Sequence, residues 1–147
     1  MFVIKIKAVK NILFLLGMVL LVVSCKKEEK DNSITPTKEN LVGTYKITAA
    51  TLAAGGSVVD VYNNEAYVKA CQRDDIYKLN ADNSLIVIDT GLVCSPTNDL
   101  VSTWSLINYF QIKLDGKIYT INYWDGNKLV GDYLDNGLKA TVTYTRQ

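Results

Sequence analysis

Two short turn signals set in an alternating sequence constrain this chain more than any other feature. Asp115-Gly116 and Asn136-Gly137 are pairs in which both residues tolerate positive φ, as a two-residue β-hairpin turn requires. The first turn predicts Leu114 opposite Lys117, Ile112 opposite Tyr119 and Phe110 opposite Ile121. The second predicts Tyr133 opposite Ala140, Gly131 opposite Val142 and Leu129 opposite Tyr144. A three-residue loop, Asp125-Gly126-Asn127, joins the two hairpins and predicts Tyr123 opposite Leu129 and Tyr119 opposite Tyr133. In this register one face carries Phe110, Ile112, Leu114, Tyr119, Ile121, Tyr123, Leu129, Gly131, Tyr133, Leu138, Ala140, Val142 and Tyr144. The other carries Gln111, Lys113, Thr120, Asn122, Asp132, Lys139, Thr141, Thr143 and Thr145, with Ile118, Trp124, Val130 and Leu134 as apolar exceptions. A one-residue slip in any hairpin would mix the two sets, so the three turns support one another.

The same period-2 alternation runs through the sequence from Leu41, the pattern of half-buried strands. Further strands are predicted at about 43–49, 58–62, 76–80, 85–90 and 103–107. Residues 64–72 are the one stretch that reads as a helical turn or two, with Asn64 as its N-cap. No boundary rich in Gly, Ser or Pro divides the region, so 41–147 reads as a single all-β domain. Eight or nine antiparallel strands with short connections favour an up-and-down barrel, because closure removes unpaired edges. A barrel of about eight strands holds packed side chains or one small ligand. A β-sandwich is the alternative arrangement of the same strands.

The N-terminal region has a different character. Its first ten residues hold Lys5, Lys7 and Lys10 and no acid, and an uncharged run of twelve residues follows from Ile12 to Val23. A membrane span needs about 20 apolar residues; the run fits the apolar core of an export signal over residues 1–24. It ends in Leu21-Val22-Val23-Ser24-Cys25, which resembles the lipobox of bacterial lipoproteins. The resemblance implies cleavage before Cys25 and acylation of that cysteine. Two or three acyl chains give a stable anchor where one binds only marginally. Residues 25–40, with Lys-Lys-Glu-Glu-Lys after the cysteine, are too polar to fold alone and read as a flexible tether. The expected location is the outer membrane, with display at the cell surface or on the periplasmic face.

Charge and residue usage narrow the chemistry. Three of the sixteen basic residues precede Cys25, which leaves thirteen against fifteen acidic ones, without the basic surplus of a nucleic-acid binder. The chain has no histidine, and so lacks the commonest general base and metal ligand. No catalytic residues, metal site or cofactor are expected. Asp74-Asp75 are read as turn or loop-capping groups ahead of half a metal or acid–base site. Cys71 and Cys94 are expected to form a disulfide outside the reducing cytosol. If Asp82-Asn83 turns the hairpin between 76–80 and 85–90, Leu79 faces Ile86 and Tyr77 faces Ile88. The two cysteines then lie in the same register at the hairpin's open base.

Several segments together resemble the lipocalin-like domains of Bacteroidetes lipoproteins. They are Leu41-Val42-Gly43-Thr44-Tyr45-Lys46, Cys71-Gln72-Arg73-Asp74-Asp75, Ala81-Asp82-Asn83, Ser102-Thr103-Trp104-Ser105-Leu106 and Val142-Thr143-Tyr144-Thr145. The charged stretch after Cys25 is also similar to the segment that favours surface export in those lipoproteins. In the Gly-x-Trp pattern of that fold Tyr45 replaces the first tryptophan, and Ser102 stands where the second copy has glycine. The resemblance implies a barrel and says little about a ligand. Inward tyrosines Tyr119, Tyr123, Tyr133 and Tyr144, joined by Tyr45, Tyr77 and Trp104, are the candidate binding set for a small hydrophobic or amphipathic molecule. The alternative is an accessory lipoprotein of a surface complex, presenting an outward apolar patch to a protein partner.

Overall fold

The alternation resolves into nine strands in the computed structural model, which describes residues 32–97 and 99–147. The expected export signal and Cys25 lie outside the described residues. The strands are β1 Gly43–Ala54, β2 Ser57–Asp60, β3 Ile76–Leu79, β4 Ser84–Ile88, β5 Leu100–Asn108, β6 Gln111–Leu114, β7 Lys117–Trp124, β8 Lys128–Asp135 and β9 Leu138–Arg146. They form one antiparallel sheet in the order β2-β1-β3-β4-β5-β6-β7-β8-β9, closed by pairing of β1 with β9. The result is an eight-stranded up-and-down barrel with β2 as an extra strand, and the sandwich alternative is set aside. Strand β1 makes closure possible through its length. Along one edge its first residues pair with β3 and its end with β2, while along the other Tyr45 to Ala53 pair with β9.

Both two-residue turns adopt the backbone their residues suit. Asp115 and Gly116 have φ of 48° and 77°, and Asn136 and Gly137 have 49° and 81°. The expected pairs Leu114–Lys117, Ile112–Tyr119, Tyr133–Ala140, Gly131–Val142 and Leu129–Tyr144 all form.

Four side-chain placements differ from the sequence reading. A β-bulge between Ile121 and Tyr123 makes Tyr123 pair with Val130 and Trp124 with Leu129. The extra residue inverts the alternation: Trp124 turns inward and is fully buried, while Tyr123 leaves the core. Phe110 keeps its backbone link to Ile121 but lies in a turn, 42% exposed, with its ring against Tyr109. Leu138 sits at the barrel's open end, 39% exposed.

The β3–β4 register also shifts by one. Tyr77 faces Val87 and Leu79 faces Leu85, because the connection is a three-residue loop with Asn83 at φ 71°, closed by Asn80 N–H donating to the Ser84 carbonyl. Residues 64–72 form turns and a single 3-10 turn, Ala70–Gln72, with the Asn64 side chain accepting from the Ala66 amide.

The described part of the expected tether, residues 32–40, is packed on the barrel. Ile34 N–H donates to the Trp124 carbonyl at 2.6 Å, Pro36 is buried, and Thr37 caps a short helix, Lys38–Leu41. Leu41 is fully buried beneath Tyr45, whose hydroxyl donates to the Leu41 carbonyl at 2.7 Å. This end of the barrel is a packed floor. The Trp124 indole N–H reaches Asn40 Oδ1 at 3.1 Å. The Arg146 guanidinium lies 5.4 Å from the Tyr45 ring centre and 5.3 Å from that of Trp124, and donates to the Tyr45 hydroxyl and the carbonyls of Asn40 and Val42.

Candidate functional site: a tyrosine-lined cavity

Above this floor the barrel is hollow. A cavity of about 670 Å³ reaches from Leu79, Leu85 and Val87 up to the turns at Asp115–Lys117 and Asp135–Leu138. Its volume falls within the roughly 300–1,000 Å³ of small-molecule sites. The strand period explains its lining: residues two apart share a face, so Ala140, Val142 and Tyr144 of β9 point inward together, as do Asp75, Tyr77 and Leu79 at β3.

Four of the candidate tyrosines meet there. Tyr77, Tyr119, Tyr133 and Tyr144 all line the cavity. Their rings form a continuous aromatic wall: Tyr77–Tyr144 centroids are 5.6 Å apart, Tyr119–Tyr144 6.4 Å and Tyr119–Tyr133 4.8 Å. Such edge-on and tilted contacts are the favoured geometries for aromatic pairs. The other three candidates lie elsewhere. Tyr45 belongs to the floor with Arg146. Trp104 is buried beside Leu114 of β6, with its indole N–H on the Asn80 carbonyl at 2.8 Å. Tyr123 lies outside, its hydroxyl 3.0 Å from Asp125 Oδ2, in a shallow crevice with Ile34, Pro36 and Phe110.

The paired aspartates part company. Asp74 turns to the loop before β5, where its Oδ2 accepts from the Leu92 amide at 2.8 Å and its carbonyl from the Thr90 hydroxyl. Asp75 is 2% exposed and lines the cavity. The place of Asp75 two residues before Tyr77, on the same side of an alternating strand, is the sequence signal for this inward carboxylate.

The segment 61–75 passes beside the cavity and contributes Val61, Tyr67, Val68 and Gln72 to its lining. It is fixed at both ends. Val61 and Tyr62 donate to the Ala50 carbonyl, and Cys71 is bonded to Cys94 with Cα atoms 5.2 Å apart. The expected disulfide therefore forms, joining the 3-10 turn to the β4–β5 loop. Arg73 braces the same segment by donating to the carbonyls of Tyr62 and Val68.

Burial raises the phenol pKa of Tyr77, Tyr119 and Tyr144 above the ordinary value of about 10; Asp75 raises that of Tyr77 further, Tyr119 and Tyr77 raise that of Tyr144, and a hydrogen bond with Tyr144 offsets part of the rise at Tyr119. Because the folded values are raised, these phenols stay protonated in the barrel while the unfolded chain releases their protons. Stability is therefore intact below about pH 10 and falls as pH rises from there toward the folded values. In an alkaline titration followed by phenolate absorbance, these three tyrosines are expected to ionise only as near-ultraviolet circular dichroism is lost. Ionisation of all nine tyrosines near pH 10 with the barrel intact would contradict the buried wall.

No protein-family model matches this chain, and a search of curated proteins returns no similar sequence. The cavity's own chemistry is therefore the basis for a functional reading. Its lower walls are aliphatic, its middle is aromatic with phenolic hydroxyls, and its mouth carries Asp115, Lys117 and Asp135. Among the described residues no three His, Cys, Asp or Glu side chains converge to hold a metal ion. An apolar cleft with a few polar groups suits reversible binding of an amphipathic molecule.

Proposed function

We propose that the chain is a lipid-anchored lipoprotein of the outer membrane, at the cell surface or on the periplasmic face, whose lipocalin-like barrel binds one small hydrophobic or amphipathic molecule. The observation that carries the binding half is the 670 Å³ cavity walled by Tyr77, Tyr119, Tyr133 and Tyr144. The anchoring half rests on the resemblance of Leu21-Val22-Val23-Ser24-Cys25 to a lipobox and on the likeness of the strand motifs to Bacteroidetes lipoproteins. No catalytic role is proposed.

Native mass spectrometry of detergent-free protein tests the binding half, with one small molecule per barrel expected; a stable, empty barrel that takes up no added amphiphile would count against it. Metabolic labelling tests the anchor. Replacing Cys25 by alanine is expected to abolish incorporation of a radiolabelled fatty acid, whereas persistent labelling would overturn the assignment of Cys25.

A second reading, an accessory subunit that docks a protein partner, draws support from outward apolar side chains. Val101, Leu134 and Val58 are 79%, 75% and 72% exposed, and Ile118 of the expected outer patch is also exposed. Trp124, part of the same expected patch, is buried, which weakens this reading relative to the first.

A further inference from the structure

The lining of the cavity is biased in charge as well as in polarity. Among the described residues it holds three carboxylates, Asp75, Asp115 and Asp135, against a single base, Lys117. Asp115 and Asp135 belong to the mouth, where Asp115 also meets the Ser102 hydroxyl. Asp75 is deep, 2% exposed, and shares its strand face with Tyr77. A charge in such a wall acts through a lower dielectric than water and attracts an opposite charge correspondingly more strongly.

The aromatic wall has the same preference. The face of a tyrosine ring is the negative end of its quadrupole, and it attracts ammonium groups within about 6 Å of the ring centre. The wall already shows this behaviour at its upper edge, where Lys117 Nζ lies 5.1 Å from the centre of the Tyr133 ring. Below it, Leu79, Leu85, Val87 and Val142 offer an aliphatic surface with room for a hydrocarbon tail. The carboxylate head of a fatty acid would instead enter a lining that holds three carboxylates and one base.

We infer that the cavity takes an amphipathic organic cation, with its ammonium group between the Asp75 carboxylate and the tyrosine rings and its tail against the aliphatic lower wall. This rests on the reading of the barrel as a ligand-binding module and names the ligand class.

The test is calorimetric titration of detergent-free protein with three probes of equal chain length below their micelle concentrations: decyltrimethylammonium, 1-decanol and decanoate. The cation is expected to bind at one per barrel, at least about tenfold more tightly than the alcohol, with decanoate weakest. Asp75→Asn, which removes the charge and keeps the shape, is expected to weaken the cation about tenfold and leave the alcohol within about twofold. Tyr133→Leu, at a half-buried position on the wall, provides a second variant and should weaken the cation more than the alcohol. Equal or tighter binding of decanol or decanoate overturns the cation assignment and leaves the cavity as a binding site. Undiminished cation binding by Asp75→Asn also overturns the assignment. If none of the three probes binds saturably, the binding-module reading falls with it.

Discussion

Replacing Trp124 by alanine is expected to cost about 3–5 kcal/mol of folding stability, the range for removing a fully buried large aromatic. The indole is 0% exposed and joins three parts of the floor. It accepts the packing of Tyr45 at 6.3 Å between ring centres, lies under the Arg146 guanidinium, and donates to Asn40 of the N-terminal segment. Its removal leaves a void and takes away one of the two rings against the Arg146 guanidinium, while the barrel wall above is untouched. Against a total stability of about 5–15 kcal/mol for a domain, the loss is large enough to move a urea midpoint severalfold beyond experimental error, with the slope unchanged if unfolding stays two-state. Trp124→Phe should lose less, because it keeps a ring and gives up the indole N–H. An outward tryptophan on a plain alternating strand would change stability by only about 0.5 kcal/mol, so the measurement separates the bulged register from the unbulged one.

The second large effect is expected from the disulfide. The bond spans 23 positions of sequence, and the chain-entropy model gives about 3 kcal/mol for a loop of that length. The paired replacement Cys71→Ala with Cys94→Ala is therefore expected to lower stability by about that amount. The consequences should also be local. Cys71 belongs to the turn Ala70–Gln72, and Gln72 lines the cavity. Hydrogen exchange should accelerate first in residues 61–75 and 89–97, and binding at the proposed site should weaken. Unchanged exchange in these two segments would mean that Arg73 and the hydrogen bonds of Asp74 and Asp89 hold them in place without the bond.

What was legible in the sequence follows from which interactions are local. Asp115-Gly116 and Asn136-Gly137 determine their hairpins through backbone preferences of the turn residues themselves, and the strands on either side pair as expected. The three-residue connections are less determinate. At residues 81–83 the positive φ of Asn83 adds a residue to the turn and moves the register by one, although Asp82-Asn83 looks equally fit for a tight turn. The bulge near Tyr123 has no local marker. It exchanges Tyr123 for Trp124 because the larger apolar surface is buried, with Leu41, Tyr45 and Arg146, in a floor that only the closed barrel assembles.

Long-range pairing was also beyond the local pattern. The ladder between β1 and β9, which joins residues near 50 to residues near 142, closes the sheet, and no feature of either strand names the other. The N-terminal segment is a similar case. Residues 33–40 are polar enough to read as solvated, but their folding onto the barrel depends on Asn40, Trp124 and Arg146 meeting across the floor. The inward tyrosines were legible from alternation, yet whether they fill the barrel or line a space depends on summed side-chain volumes. In the structure Trp104 and Tyr45 pack the lower end, and Tyr77, Tyr119, Tyr133 and Tyr144 are left around a cavity.

The central claim is that this cavity is a binding site, and filling it tests the claim most directly. Val142 is 7% exposed and points into the space from β9; tryptophan at that position would occupy it from a wall that already tolerates large rings. The measurement is native mass spectrometry of detergent-free protein, with the wild type and Val142→Trp compared after purification and again after addition of an amphiphile. One molecule per barrel on the wild type and none on a folded Val142→Trp protein is the predicted result. A folded wild type that carries and accepts nothing, or a variant that binds as the wild type does, would contradict it.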